Sequence, residues 1–370
     1  MGFFKEVNKK FGFGLMRLPM NGDDVDYAQT SEMVDIFIEN GFNYFDTAHG
    51  YINGLSEAAV KKCLSSRYPR EKYLLTNKLS SPHFNSKEDI RPLLLSQLEA
   101  CGVEYFDFYL MHAQDSGNYG KYKRCRAYET AFELKKEGLV KHVGMSFHDK
   151  AAVLDEILTD HPEIEAVQIQ LNYVDYDDAS VQSGLVYDVC VKHGKPVIVM
   201  EPVKGGNLVN LPSAALDIFE QLKGGSPASY AIRYAAGFEN VFMVLSGMSN
   251  LEQMRDNVSF MRDFKPLDER ERAAVETVRA VLKSADDIPC TSCRYCMEKC
   301  PKGIAIPELF ACMNALHRHG GWNPYMYYER SAPEGKKASD CIKCGTCERV
   351  CPQHLKIRNL LENVAQTFEK

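Results

Sequence analysis

No apolar run in this 370-residue chain reaches the ~18 residues of a membrane-spanning helix. The opening stretch, Met1-Gly2-Phe3-Phe4-Lys5-Glu6, lacks the apolar core of a secretory signal and has Glu6 where a myristoylation signal wants Ser or Thr. An excess of one charge is also missing. Lys and Arg number 44 against 50 Asp and Glu, a net −6, so there is no electrostatic reason to expect nucleic acid or an anionic membrane as a partner. On this reading the chain is expected in the cytoplasm, a reducing compartment, where its 13 cysteines are not expected to form a disulfide set. No G-x-G-x-x-G follows an early strand, and Gly12-Phe13-Gly14 is too short a match, which argues against a doubly wound dinucleotide-binding sheet. With 45% apolar and 25% charged residues the chain can bury a large core. Its length allows two or three domains of ~100–200 residues, or one barrel of ~250 with a smaller partner.

The cysteines are present but unevenly placed. Cys63, Cys101, Cys125 and Cys190 are alone before residue 290; the remainder lie between Cys290 and Cys351. That shift divides the chain into residues 1–284 and 285–370, near Ser284-Ala285-Asp286-Asp287. Cys290, Cys293, Cys296 and Cys300, followed by Pro301, form a C-x2-C-x2-C-x3-C-P run, and Cys341, Cys344, Cys347 and Cys351, followed by Pro352, repeat it. Two-residue spacers let one turn of chain aim three thiolates at three corners of a small cube, and the fourth must come from elsewhere. Zinc sites usually show pairs of C-x2-C rather than such triplets. The double run resembles bacterial two-cluster ferredoxins, in which the fourth ligand comes from the other motif. The resemblance implies two [4Fe–4S] clusters, one on Cys290, Cys293, Cys296 and Cys351, the other on Cys341, Cys344, Cys347 and Cys300. Cys312 fits neither run and reads as a buried thiol. The insert from Lys302 to Asp340, with His317, His319, Trp322 and Tyr325 to Tyr328, reads as a helical spacer or a docking surface, with Trp322 and the tyrosines expected to pack around the clusters.

Before residue 285, short β-rich apolar runs alternate with amphipathic ones. Strands are expected at residues 11–16, 42–46, 72–78, 106–112, 140–146, 166–171, 196–200 and 241–246. Helices are expected at 27–39, 87–100, 149–158, 178–192, 227–236 and 268–283. In the second of these, Ile90, Leu94 and Leu98 form one stripe, with Ser86 and Asp89 as a capping box and Gly102 as the stop. Eight strands over roughly 280 residues is the size of a (β/α)8 barrel, so the fold class is α/β: a TIM barrel followed by a small α-helical, ferredoxin-like domain. Barrel chemistry sits at strand C-termini. That rule selects Asp46, Lys78, His112, Ser146, Gln168 to Asn172, Glu201 and Ser246, with Tyr51 just above the second strand.

Phe45-Asp46-Thr47-Ala48-His49-Gly50-Tyr51 with Ser56-Glu57 resembles the signature of the aldo-keto reductase family. Thr76-Asn77-Lys78, Leu110-Met111-His112, Gly138 to Ser146, Glu201 to Gly206 and Ser226 to Tyr234 resemble its later motifs, so the likeness runs from about Gly12 to Asn257. It implies a catalytic tetrad of Asp46, Tyr51, Lys78 and His112 and the reduction of a small-molecule carbonyl. Tyr51 would pass a proton to the carbonyl oxygen. Its ordinary pKa is ~10, and the Lys78 ammonium, held by Asp46, is expected to lower it. His112 would orient the same oxygen. Taken singly, Lys78 with Asp46 could be a plain ion pair, His112 a satisfied buried histidine and Tyr51 core.

For the nicotinamide cofactor, NADP(H) or NAD(H), the resemblance implies contacts from Met16, Ser146, Gln168, Met200, Pro202, Gly205, Ser246, Gly247, Ser249 and Asn257. Ser249 and Glu252 read as a capping box at a phosphate-binding helix start. Phe147 replaces the asparagine that often follows Ser146. Gly247 and Gln253 stand where many relatives place basic residues for a 2′-phosphate, which leaves the choice of dinucleotide open. A hydride carries two electrons and a cluster normally moves one, so a flavin relay is a third cofactor to consider, although no flavin motif is evident. Two readings follow: a carbonyl reductase whose clusters transfer electrons or sense redox state, and a ferredoxin-linked electron-transfer protein whose barrel holds a flavin or docks a ferredoxin- or flavodoxin-type redox partner.

Overall fold

A computed structural model describes residues 3–178, 181–283, 287–319 and 323–369. Trp322 and the expected boundary residues Ser284, Ala285 and Asp286 lie outside them, and the His319 side chain is not described. The chain forms two compact units. One comprises Met1–Asp178, Gln182–Pro202 and Ala228–Arg272; the other comprises Ala179–Val181, Val203–Pro227 and Ala273–Lys370.

The first unit is a closed parallel barrel. Its strands are β1 (Phe11–Gly14), β2 (Tyr44–Asp46), β3 (Leu74–Leu79), β4 (Phe106–Gln114), β5 (Val140–Phe147), β6 (Ala166–Gln170), β7 (Val197–Met200) and β8 (Val241–Gly247). Each pairs with its sequence neighbours, and β1 closes the ring against β8. All eight expected strands are present. Parallel strands buried on both faces read as nearly continuous apolar runs, which is why they stand out in the sequence. Helices Tyr27–Glu39 and Pro227–Ala236 have the expected bounds. The helix expected from Lys87 begins at Ile90, because the Asp89 carboxylate accepts the backbone N–H groups of Asn85 and Ser86 and holds them in a turn. Gly102, at φ +65°, stops that helix.

At the N-terminal ends of the strands, Phe4 and Val7 pack on Tyr44, Phe108 and Phe242 and fill the barrel floor. Above them the interior is tight. A Cβ on Gly144 would stand 2.6 Å from the Ala166 carbonyl oxygen and 2.7 Å from a Leu110 methyl. Gly144→Ala is expected to destabilise the barrel by ~1–3 kcal/mol through overpacking, read as a lower denaturation midpoint at unchanged slope.

The second unit repeats itself. Ser292 (φ +53°) and Arg294 (φ +67°) match Lys343 (φ +56°) and Gly345 (φ +73°), and Gly303 (φ +62°) matches His354 (φ +52°). In each copy the left-handed residues wrap the chain around its cysteines before a short helical turn, Tyr295–Glu298 or Thr346–Arg349. Longer helices, Ile306–His319 and Ile357–Phe368, bring Ile306, Leu309, Phe310, Ile357, Leu361 and Val364 into a common core. Cys312 is buried in that core, as is Tyr328 from the insert, while Tyr327 is exposed.

Candidate functional site

Strand register gathers the expected residues at the C-terminal end of the barrel. Gly14 is level with Asp46 and Gly247, and Ser146 is level with Gln168. Lys78 is 1% exposed, yet its ammonium donates to Asp46 Oδ1 at 2.7 Å and to the Thr47 carbonyl at 2.8 Å. Burial pushes the Lys78 pKa down and the Asp46 pKa up, and the mutual attraction of the pair opposes both shifts.

Tyr51 opens a short turn, Tyr51–Gly54, in which Ile52, Asn53 and Gly54 are all left-handed. That bend swings the Tyr51 ring back over Lys78, whose Nζ lies 4.7 Å from the ring centroid. Burial and the Asp46 and Glu201 carboxylates push the phenol well above its ordinary value. The expected lowering by Lys78 is therefore overturned. The ammonium is spent on Asp46 and on the Thr47 carbonyl, and desolvation of the hydroxyl outweighs it.

His112 stands with its ring 6.0 Å from that of Tyr51, edge to face. Its Nδ1 is 2.5 Å from Ser80 Oγ. Burial, with the Lys78 ammonium next in effect, pushes its pKa well below 6.5. Neutral imidazole is thus favoured, and protonation is confined to pH well under that value. The pH profile of kcat is expected to lack a histidine limb near 6.5; an acid limb there that disappears in His112→Gln would contradict this.

Several supporting residues were not expected. Glu57, 2% exposed, accepts from Asn77 Nδ2 at 2.8 Å and pairs with His49 Nδ1 at 2.8 Å, tying the Tyr51 turn to β3. Gln97 donates through Nε2 to Asn77 Oδ1 and to the Lys78 carbonyl, and its Oε1 accepts from the Tyr109 hydroxyl. Tyr122 donates to the Leu79 and His112 carbonyls. Strand alternation could have pointed to Ser80, which shares a face with Lys78; the other contacts cross between elements and leave no local pattern.

Among the residues expected around a nicotinamide, Ser146 Oγ accepts from the Ala113 N–H at 2.7 Å, supporting the left-handed Ala113 that follows His112. Gln168 is 3% exposed and its Oε1 has no hydrogen-bond partner, an acceptor buried in the same layer as Ser146. Asn257 Nδ2 donates to Ser246 Oγ at 3.0 Å, both buried. The helix start differs in detail. Asn250, not Ser249, caps Leu251–Met261 by accepting from Gln253 N, while Gln253 Oε1 accepts from Ser249 N. Ser249 Oγ instead donates to the Arg17 carbonyl. Gly247 lies against Arg17, with a Cβ there 3.3 Å from the arginine Cβ. Met16 sits in the turn Leu15–Arg17, Met200 ends β7 and Pro202 is buried. Gly205 belongs to the second unit, in left-handed conformation beside the Thr291 backbone.

In the second unit the eight motif cysteines ring two small cavities. Cys290, Cys293, Cys296 and Cys351 line one; Cys300, Cys341, Cys344 and Cys347 line the other. Each cavity thus takes its fourth thiol from the opposite motif. Among the described residues no three His, Cys, Asp or Glu side chains converge as on a single ion. Also among the described residues, no helix is long and apolar enough to cross a membrane.

Comparison with known proteins bears on both parts of the chain. Residues 10–280 match the model of the aldo/keto reductase family, and residues 289–355 that of the 4Fe-4S dicluster domain. An aldo-keto reductase of Mycolicibacterium vanbaalenii is 30% identical over 236 residues, 62% of this chain and 77% of that protein. Among solved structures, an aldo-keto reductase from Bacillus halodurans in its holo form (24% identity, TM-score 0.60) covers 73% of this chain and 92% of its own. One from Klebsiella pneumoniae in complex with NADPH (18% identity, TM-score 0.60) covers 73% and 90% and shares the fold. The chain is an oxidoreductase of the aldo/keto reductase family, its barrel followed by a 4Fe-4S dicluster domain.

Proposed function

We propose that the barrel reduces an aldehyde or ketone of a small molecule with NADP(H) or NAD(H), through Asp46, Tyr51, Lys78 and His112. The observation that carries this reading is the stacking of Tyr51 over the buried Lys78–Asp46 pair with His112 alongside. Gln168, with its buried unmet acceptor, fits the carboxamide of a nicotinamide, whose NH2 can donate to it; Ser146, Met200 and the Ser246–Asn257 pair complete the cradle. A nicotinamide bound there supplies the hydride. Tyr51 holds its proton, because a phenol of raised pKa gives it up only to a stronger base such as a forming alkoxide. Ser80, donating to His112 Nδ1, keeps the imidazole proton on Nε2, the tautomer that can donate to the carbonyl oxygen. Lys78 supplies positive charge beneath the oxyanion, and Asp46 holds it there. Carbonyl-dependent oxidation of the nicotinamide, one equivalent per carbonyl reduced, tests the reading; oxidation independent of any carbonyl would sink it.

In the tail, the two thiol-lined cavities fit two [4Fe–4S] clusters, which supply one-electron steps. A second reading, electron transfer to or from a ferredoxin- or flavodoxin-type partner, is supported by the exposure of Cys344 at the second cavity. It requires that Cys296→Ser abolish turnover with a protein electron donor; retained turnover would remove it.

A further inference from the structure

Because the second unit repeats its cysteine motif, its two cavities can be compared with each other. At the first, no thiol is exposed: Cys290, Cys293 and Cys351 are half-buried and Cys296 is buried. The apolar residues that line it, Ile306, Pro307, Phe310, Leu355 and Ile357, are also buried or half-buried. Its lining cation, Arg294, is exposed and paired with Glu308. The second cavity has an exposed rim. Cys344 is exposed, and beside it two apolar residues lining the same cavity, Pro301 and Ile342, are exposed as well, Ile342 by 57%. A lone exposed isoleucine needs no explanation. Here it stands with a proline at the mouth of a cavity lined by thiols.

That rim is basic. Lys302 lines the cavity and is exposed. Lys336 joins it through Gly303, since the Lys336 Cε is 3.6 Å from where a Cβ on Gly303 would stand. Arg349, also exposed, donates to Oγ1 of Thr346, beside Cys344, at 3.0 Å. Among the described residues these three cations have no carboxylate partner. Lys343 and Arg358 flank the same motif and are paired with Glu362 and Glu348. Asp340 accepts from the Lys337 N–H, and Glu334 is the exposed acid left over. The positive excess belongs to this part of the chain. Residues 285–370 carry 12 Lys and Arg against 10 Asp and Glu, whereas residues 1–284 carry 32 against 40. An acidic protein is therefore drawn to the tail of a chain that is acidic as a whole. Charges of one sign around a small apolar centre steer a partner of the opposite sign and fix its register.

We propose that the face around Ile342, Cys344 and Lys302 is the docking surface for a small acidic one-electron carrier protein, and that the cluster of Cys300, Cys341, Cys344 and Cys347 is the one that exchanges electrons with it. One electron crosses at a time. The cluster is oxidised as the carrier is reduced, or the reverse, and no bond or proton has to move. Electron tunnelling falls steeply with distance, so an exposed thiol ligand beneath the partner is the short route. The proposal rests on the two-cluster reading of the tail and gives the electron-transfer reading its surface and its partner's charge; it does not depend on carbonyl reduction in the barrel.

The test is an anaerobic calorimetric titration of the intact, iron-loaded protein with a purified acidic flavodoxin and, separately, with an acidic ferredoxin. Binding is expected at low salt and should weaken at least ~tenfold as salt is raised, since the Debye length is only ~10 Å at 0.1 M. Lys302→Gln combined with Arg349→Gln should weaken low-salt binding by a similar ~tenfold. Ile342→Ser should weaken it at high salt as well as low. Arg294→Gln, which removes a charge at the other cavity, should leave Kd unchanged. Carbodiimide should join carrier carboxylates to Lys302, Lys336 or Lys343. Electron exchange is read by mixing reduced protein with oxidised carrier and oxidised protein with reduced carrier, one of which must run downhill. If the double variant loads iron poorly, Lys336→Gln is titrated in its place, with weaker binding again expected. Failure of both carriers to bind at low salt, equal weakening by Arg294→Gln, or binding with no exchange in either direction would each overturn the proposal. So would self-association of the chain alone that Lys302→Gln abolishes, which would give the surface to a second copy. Wild-type protein that takes up a single cluster would instead defeat the two-cluster reading itself.

Discussion

Tyr51→Phe is expected to lower kcat for carbonyl reduction by about 10²–10⁴-fold, the usual worth of a positioned proton donor. KM for the nicotinamide should change little, since the lost hydroxyl is assigned to the carbonyl oxygen. The substitution is clean because phenylalanine keeps the ring that lies over the Lys78 ammonium 4.7 Å from its centroid, so the denaturation midpoint should not move. A variant with wild-type kcat would remove Tyr51 as the proton donor. A variant that lost activity and stability together would assign the ring to structure.

Lys78→Met is expected to be the most destabilising single change in the barrel, by ~3–5 kcal/mol. Asp46 is 3% exposed, its Oδ1 is met by Lys78 and its Oδ2 has no hydrogen-bond partner. Removing the ammonium strands a buried carboxylate. Two further results distinguish this from lost packing. Asp46→Asn added to Lys78→Met should recover most of the stability, because no charge is then left without a partner. Lowering the pH should rescue the single variant as well. The stranded carboxyl has its folded-state pKa raised above its unfolded value of ~3.9, so stability is lost as pH rises past the unfolded value and regained as pH falls back toward it. Urea midpoints at two pH values for the single and double variants measure both effects. A loss that neither acid nor Asp46→Asn repairs would point to the lysine stem instead.

Much of the barrel was legible because its strands are short apolar runs between amphipathic stretches, and the four residues proposed as a tetrad stood out because Asp46, Lys78 and His112 all fall near strand ends. Helix Ala127–Lys136 was not expected, though Tyr128, Ala131 and Leu134 are buried along it. Its N-cap is Arg126 in left-handed conformation, so no capping residue marks its start. At Leu251–Met261 the helix was expected but the cap was misread by one residue, since Ser249 and Asn250 are both good caps and only the backbone decides between them. The direction of the Tyr51 shift was illegible for a different reason. Sequence names the charges but not how deeply the hydroxyl is desolvated, and burial is the largest effect there. In the tail, spacing and family resemblance together grouped the cysteines as the two cavities group them. They could not disclose that Lys204 and Gly205 meet Gln353 and Thr291, contacts between distant parts of the chain.

The most direct single measurement is anaerobic visible absorbance of iron-loaded protein during titration with NADPH and NADH, before and after a carbonyl is added. The expected result is a brown cluster band that persists in nicotinamide alone, followed by nicotinamide oxidation when the carbonyl arrives and its loss in Tyr51→Phe. Bleaching of the band by nicotinamide alone would contradict it. Electrons would then reach the clusters without a carbonyl, a flavin or equivalent relay would have to be present, and the barrel would serve electron transfer rather than carbonyl reduction.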